Sequence, residues 1–294
     1  MRTSSSPLEA ALVNRAWIQW AALGVDAVVE VDDAVVDPEA LIALTAELGD
    51  ADARLRDVST DWCVAFGRYV NSSRLRGVVE ALRTPPDLIG EFVATVAAAG
   101  GPRWPMGTQP RPGYVSRGKA RLTSAVSRAR LRIRLRAAFG VNARADVLAA
   151  LLSARSLEMN IADLARRTQF SKLNVSSAVD ALTLAGLIET RSVGNERRVR
   201  LAPVDVLPGL RAPVKQPDWV GRFGVALEVL RFQRRAAGSP SVRAIEARRL
   251  VERLRTHIAS AGLPAPNLAA IGDDFGTAFD HWTVDLVYRL RLPG

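Results

Sequence analysis

Side chains able to do acid–base, nucleophilic or metal chemistry are few in this chain of 294 residues, which holds two histidines and one cysteine. His257 falls in an amphipathic stretch that predicts a helix. His281 follows Asp280 and stands near Asp285, a grouping that could bind a metal or move a proton, but a solvated or core role explains both histidines better. Cys63, between Trp62 and Val64, reads as a small buried hydrophobe, and a lone thiol leaves no intrachain disulfide and no thiolate zinc cluster. Asp26, Glu30, Asp32 and Asp33 read as an acidic loop rather than a cation site. Asp274-Phe275-Gly276 has no glycine-rich loop or catalytic-loop companion. No Walker-type loop, paired-histidine metal motif or Gly-x-Ser-x-Gly elbow occurs. The expectation is a protein that is not an enzyme, with no cofactor and no metal.

What remains is charge, and its placement is informative. The net charge is +10, yet residues 1–102 carry eight Arg against fifteen acids, residues 103–142 carry ten Lys plus Arg and no acid, and residues 143–294 carry 22 against 15. A basic centre beside an acidic flank predicts a polyanion-binding middle and a flanking part that repels nucleic acid or contacts another protein. Because 37 of the 40 basic residues are Arg, an arginine-rich composition without any ligand is the competing explanation. Apolar residues at 48% and charged residues at 24% describe an ordinary globular chain. No run approaches the roughly 18 apolar residues of a membrane span, and Met1 to Pro7 lacks the apolar core of a signal peptide, so cytoplasmic residence is expected.

The elements that must carry these charges are mostly helical. Leu8, Ala11, Leu12, Ala16 and Trp20 share one helix face, and Asp37-Pro38-Glu39 starts a helix running to Gly49. Val28–Val36 is expected as a short strand, and further helices over Trp62–Tyr69, Ser73–Leu82 and Pro86–Ala99. Residues 100–118, dense in Gly and Pro, read as a linker. In Arg128–Arg136, arginines alternate with Leu131, Ile133 and Leu135. A strand would place every arginine on one face and a helix would spread them; the pattern leaves the choice open, and either would offer cations to phosphate or to the acidic N-terminal block. Pro203–Pro217 reads as a second linker, followed by helices over Trp219–Ala236, Val242–Ala261 and Phe275–Leu290.

Between the linkers lies an ordered series of signals. Asn142 caps a helix containing Val147, Leu148, Leu151 and Leu152, and Asn160 caps a short one with Ile161, Leu164 and Ala165 inward. Thr168–Ser171 turns the chain into a third helix, Lys172–Ala185, with Val175, Ala178, Val179 and Leu182 buried and Gly186 closing it. Leu187–Val193, a turn at Gly194-Asn195-Glu196, and Arg197–Leu201 make a hairpin with a basic tip.

This order resembles the winged helix-turn-helix of MarR-type and ArsR-type regulators over residues 143–203. The resemblance implies that the third helix enters the DNA major groove, presenting Ser171, Lys172, Asn174, Ser176 and Ser177. Asn suits an adenine edge, Ser and Lys a base or phosphate, and Leu173 a thymine methyl group. It implies that Arg191, Arg197, Arg198 and Arg200 of the wing supply phosphate or minor-groove contacts. Serine at 177, where such regulators often carry a second basic residue, and Glu196 near a short wing's tip depart from the family pattern.

The expected fold class is mainly α, a central winged helix of three helices plus a β-hairpin wing between helical flanks. The regions are an acidic helical domain at 1–100, a linker and basic segment at 101–142, the winged helix at 143–203 and a helical domain at 204–294. The expected function is transcription regulation on double-stranded DNA as a homodimer, without membrane association. The alternative is an antitoxin or phage-defence accessory protein whose winged helix autoregulates while its flanking helices, the acidic N-terminal domain among them, bind a partner protein.

Overall fold

The structure, a computed structural model, describes residues 6–122, 127–154, 158–203, 214–235, 238–270 and 272–292. The Ser6 hydroxyl accepts the Glu9 amide at the start of α1 (Pro7–Ala22), and the Asp37 carboxylate accepts the Ala40 amide at 3.2 Å at the start of α2 (Pro38–Leu48). In both, an acceptor followed by proline satisfies one orphan amide and removes another. α3 (Ala53–Phe66) begins well before the expected Trp62, capped by Asp52. Its opening turns, with Arg54, Arg56, Asp57 and Ser59, carry too few apolar side chains to show a helical period. α4 (Ser72–Leu82) and α5 (Pro86–Ala98) fall within a residue of expectation.

No strand forms over Val28–Val36. Three acids interrupt the run and Val28 lies fully in solvent. Only its end is used, in extended form: the Val35 amide donates to Lys215 O and the Val36 amide to Ala129 O, each at 2.9 Å. The glycine- and proline-rich stretch from Gly100 is irregular, as expected, but it is fastened down. Trp104 is buried, Arg111 meets Asp57 at 2.6 Å, and the Tyr114 hydroxyl donates to Asp61 at 2.6 Å.

The alternating arginines form a helix, α6 (Leu131–Phe139). Its four-residue spacing puts Arg132 and Arg136 on one face, and that face is turned inward. These two cations are therefore not offered to phosphate; they are consumed inside the molecule, as described below.

The central unit follows: α7 (Ala143–Ser153), β1 (Met159–Asn160), α8 (Ile161–Thr168), α9 (Lys172–Leu184), β2 (Ile188–Val193) and β3 (Glu196–Leu201). The antiparallel sheet runs β1-β3-β2, with Thr190 opposite Val199 and Met159 on the other side of Val199. The two-residue β1 is an addition to the expected hairpin, and nothing so short displays a period. One core joins α7, α8, α9 and the sheet to Leu131 and Leu135 of α6, Val35 and Val214.

Beyond residue 213, α10 (Trp219–Arg235), α11 (Pro240–Ser260) and α12 (Asp273–Arg291) return to the N-terminal helices. The two flanking regions, read from sequence as separate, share one apolar core in which Trp20, Leu41 and Trp62 join Phe223, Leu250, Phe279 and Trp282. Trp219 stacks on Phe223, and its Nε1 donates to Val35 O at 2.8 Å. The middle of the second proline-rich stretch, 204–213, lies outside the described residues.

Candidate nucleic-acid interface

α9 is a helix because Ser171 caps it, accepting the Asn174 amide at 3.2 Å, and because Val175, Ala178, Val179 and Leu182 repeat at helical spacing and are buried. It ends in a glycine motif: Gly186, at φ +71°, lets its own amide reach Thr183 O and the Leu187 amide reach Leu182 O, both at 3.0 Å. That motif turns the chain straight into β2. α9 rests on α7, α8 and β2. Its opposite face is open, with Leu173, Ser177, Asp180 and Leu184 recurring along it; Leu173 is 76% and Leu184 90% exposed.

The expected reading residues divide along this helix. Lys172 and Asn174 are exposed at its first turn, Ser177 is exposed on the outward stripe, and Ser176 is half-buried on its flank. Ser171 is exposed too, but its hydroxyl oxygen is already engaged as the cap.

The wing is organised by strand alternation. Ile188 and Val199 face the core, while Glu189 opposite Arg200 and Arg191 opposite Arg198 lie on the other face of the sheet. That outward face is a ladder of both signs. Arg191 grips Glu158 through two bonds of 2.8 and 2.7 Å, Arg200 meets Glu189 and Arg198 meets Glu196, each at 2.5 Å. The hydrogen bond from Arg191 holds the Glu158 carboxyl below its ordinary range. The ladder walls a groove of about 290 Å³ lined by Glu158, Glu189, Thr190, Arg191, Arg198 and Arg200. Arg197 leaves the strand on the core side and reaches Asp180 of α9 at 2.5 Å. Every wing arginine expected to meet phosphate thus already meets a carboxylate, so DNA contact there exchanges one anion for another.

The acidic partners went unrecognised in the sequence. Glu189 with Arg200 follows from the hairpin register, but Asp180 with Arg197 and Glu158 with Arg191 need the tertiary fold.

The helix-turn-helix is held from behind by a buried cluster of three arginines and three carboxylates. Arg74 of α4 makes bonds of 2.7 and 2.5 Å to Asp37 and of 2.6 Å to Glu39. Arg136 bridges Glu39 at 2.6 Å and Asp146 of α7 at 3.0 Å, and Arg132 reaches Asp146 at 2.7 Å. No side chain among them is more than 6% exposed. Burial alone would raise the Asp37 carboxyl; Arg132 and Arg74 outweigh it and hold it well below the usual carboxylate range. Arg74 Nε also donates to Thr168 O at 2.8 Å, so the turn leading into α9 is fixed by a residue of the flanking helices.

The histidine grouping gathers nothing: His281 is exposed on α12, and Asp280 pairs with Arg243 at 3.3 Å. Among the described residues, no helix is long and apolar enough to cross a membrane.

The model of the MarR family matches residues 142–198, about a fifth of the chain and nearly the whole central unit. No curated protein and no solved structure matches the chain. The central unit is a winged helix of the MarR type, and the function it supports is of the winged-helix transcription-regulator kind.

Proposed function

We propose that the chain is a sequence-specific regulator that binds double-stranded DNA as a dimer, inserting α9 into the major groove, and that it carries no catalytic activity. The observation that supports this most is the open outward face of α9, with Lys172, Asn174 and Ser177 projecting from a MarR-type winged helix braced against the flanking helices. A two-fold pair would set two such helices about one helical turn of DNA apart. The antitoxin or accessory reading, in which the flanking helices bind a partner protein, draws its support from the acidic N-terminal block, and part of that acidity is taken up within the chain. Asp37, Glu39, Glu47 and Asp57 of that block are engaged by Arg74, Arg136, Arg231 and Arg111 of the same chain.

The test is a comparison of variants on a duplex selected by the protein from a randomised pool and on an unselected duplex. Asn174→Ala should lose about 1–3 kcal/mol on the selected duplex alone, the worth of a bidentate base contact. An equal loss on both duplexes would remove Asn174 as a reading residue. Glu158→Gln should act oppositely: with Arg191 released from its carboxylate, both duplexes should bind severalfold more tightly at low salt, an advantage that fades as salt rises. Unchanged affinity would mean that the outer ladder lies away from the DNA.

A further inference from the structure

An acid in the middle of a DNA-facing helix calls for an explanation. Asp180 shares the outward stripe of α9 with Leu173, Ser177 and Leu184 and keeps 62% of its side chain exposed. A bare carboxylate there would meet the phosphate field with repulsion. It is not bare: Arg197 Nη1 donates to Asp180 Oδ1 at 2.5 Å. Arg197 differs from the other wing arginines in where it stands. Arg191, Arg198 and Arg200 lie on the outer face of the sheet, whereas Arg197, opposite Ser192, projects from the face that meets α9 and remains about one-third exposed. Only one terminal nitrogen of its planar fork is engaged by Asp180 in this pair, so the guanidinium retains donors for another acceptor.

Building on the DNA-binding reading above, we propose that Asp180 is a positioning residue which holds the Arg197 guanidinium at the groove-facing edge of α9, making Arg197 a determinant of base preference rather than a generic phosphate contact. Arginine read in this way takes the two acceptors of a guanine edge, a geometry that needs its planar fork fixed in advance. Arginine is suited to the role because a flexible chain that is oriented before binding loses less freedom on binding. The pair also links the wing to the recognition helix.

The proposal and its simplest rival predict opposite signs. Asp180→Asn removes one negative charge from the DNA face with almost no change of shape. If Asp180 positions Arg197, the variant loses about tenfold or more on the selected duplex, loses preference at the base pair Arg197 reads, and gains slightly on the unselected duplex. The double variant with Arg197→Ala then behaves like Arg197→Ala alone, the signature of two residues acting through one contact. Melting temperatures of all three should match wild type, because the pair is solvent-exposed. If Asp180→Asn tightens both duplexes alike and adds independently to Arg197→Ala, the carboxylate merely repels DNA and the proposal is overturned. A wild-type protein that prefers no duplex would overturn the DNA-reading role of α9, and this inference with it.

Discussion

Arg136→Ala should lower the unfolding free energy by about 3–5 kcal/mol, read from the midpoint of urea denaturation at neutral pH. Arg136 is fully buried and bridges two carboxylates, Glu39 and Asp146, that are equally buried. Taking away one partner of a buried ion pair strands the other in a medium that solvates it poorly, and the penalty exceeds anything the pair itself contributes. The substitution also removes the bond from Arg136 Nη1 to Tyr69 O at 2.9 Å. The same cluster fixes the sign of the acid response. Asp37 has its folded carboxyl held below the usual range by Arg132 and Arg74 against its own burial. Its contribution is therefore complete above the unfolded value of about 3.9 and is lost as pH falls below it. Wild-type protein should lose stability steeply below about pH 4. A loss under about 1 kcal/mol for Arg136→Ala would mean that water reaches the cluster.

Trp219→Ala should cost about 3–5 kcal/mol, the range for deleting a large aromatic side chain from a core. Trp219 is 1% exposed, stacked on Phe223 with ring centroids 5.3 Å apart, and its indole holds Val35 O. The Arg15 guanidinium lies over its ring at 5.4 Å. Through these contacts a residue near the start of the C-terminal region touches the N-terminal helices, and the consequence reaches beyond the number. Because α1–α5 and α10–α12 share one core, the variant should lower a single cooperative transition of the flanking helices. Two separated transitions, with the N-terminal helices melting as in wild type, would show that the regions fold independently.

How much of this was legible in the sequence depends on whether a feature is local. Asp37-Pro38 and Ser171 announce helix starts through side chains that act within three residues, and Gly186 announces an end through its own backbone freedom. The wing follows from alternation on both sides of Gly194-Asn195, although Glu196, read as part of the turn, opens β3 opposite Val193. The first half of α3 was missed because too few apolar residues mark its inner face. The Val28–Val36 run suggests a strand from residue type alone, and among the described residues no strand pairs with it. The basic segment is legible only as two alternatives, phosphate or the acidic N-terminal block, and Arg132 and Arg136 take the second, at Asp37 and Glu39. Arginines alternating with aliphatics fit a strand and a helix equally well, and their destination was settled by Glu39 and Asp146, which stand 97 and 10 residues from Arg136. The central charge maximum is thus partly internal. The cations placed to meet DNA are fewer than the composition suggests, with Lys172 at the start of α9 and the wing arginines already holding carboxylates.

The most direct test of α9 as a DNA-reading helix is the affinity of the purified protein for a self-selected duplex and an unselected duplex of equal length, each titrated at two salt concentrations. Added salt should weaken binding to both, with a slope set by the number of phosphates engaged, while the preference for the selected duplex persists. Affinities that stay equal on the two duplexes and vanish together as salt rises would contradict it, leaving a basic surface that attracts DNA without reading it.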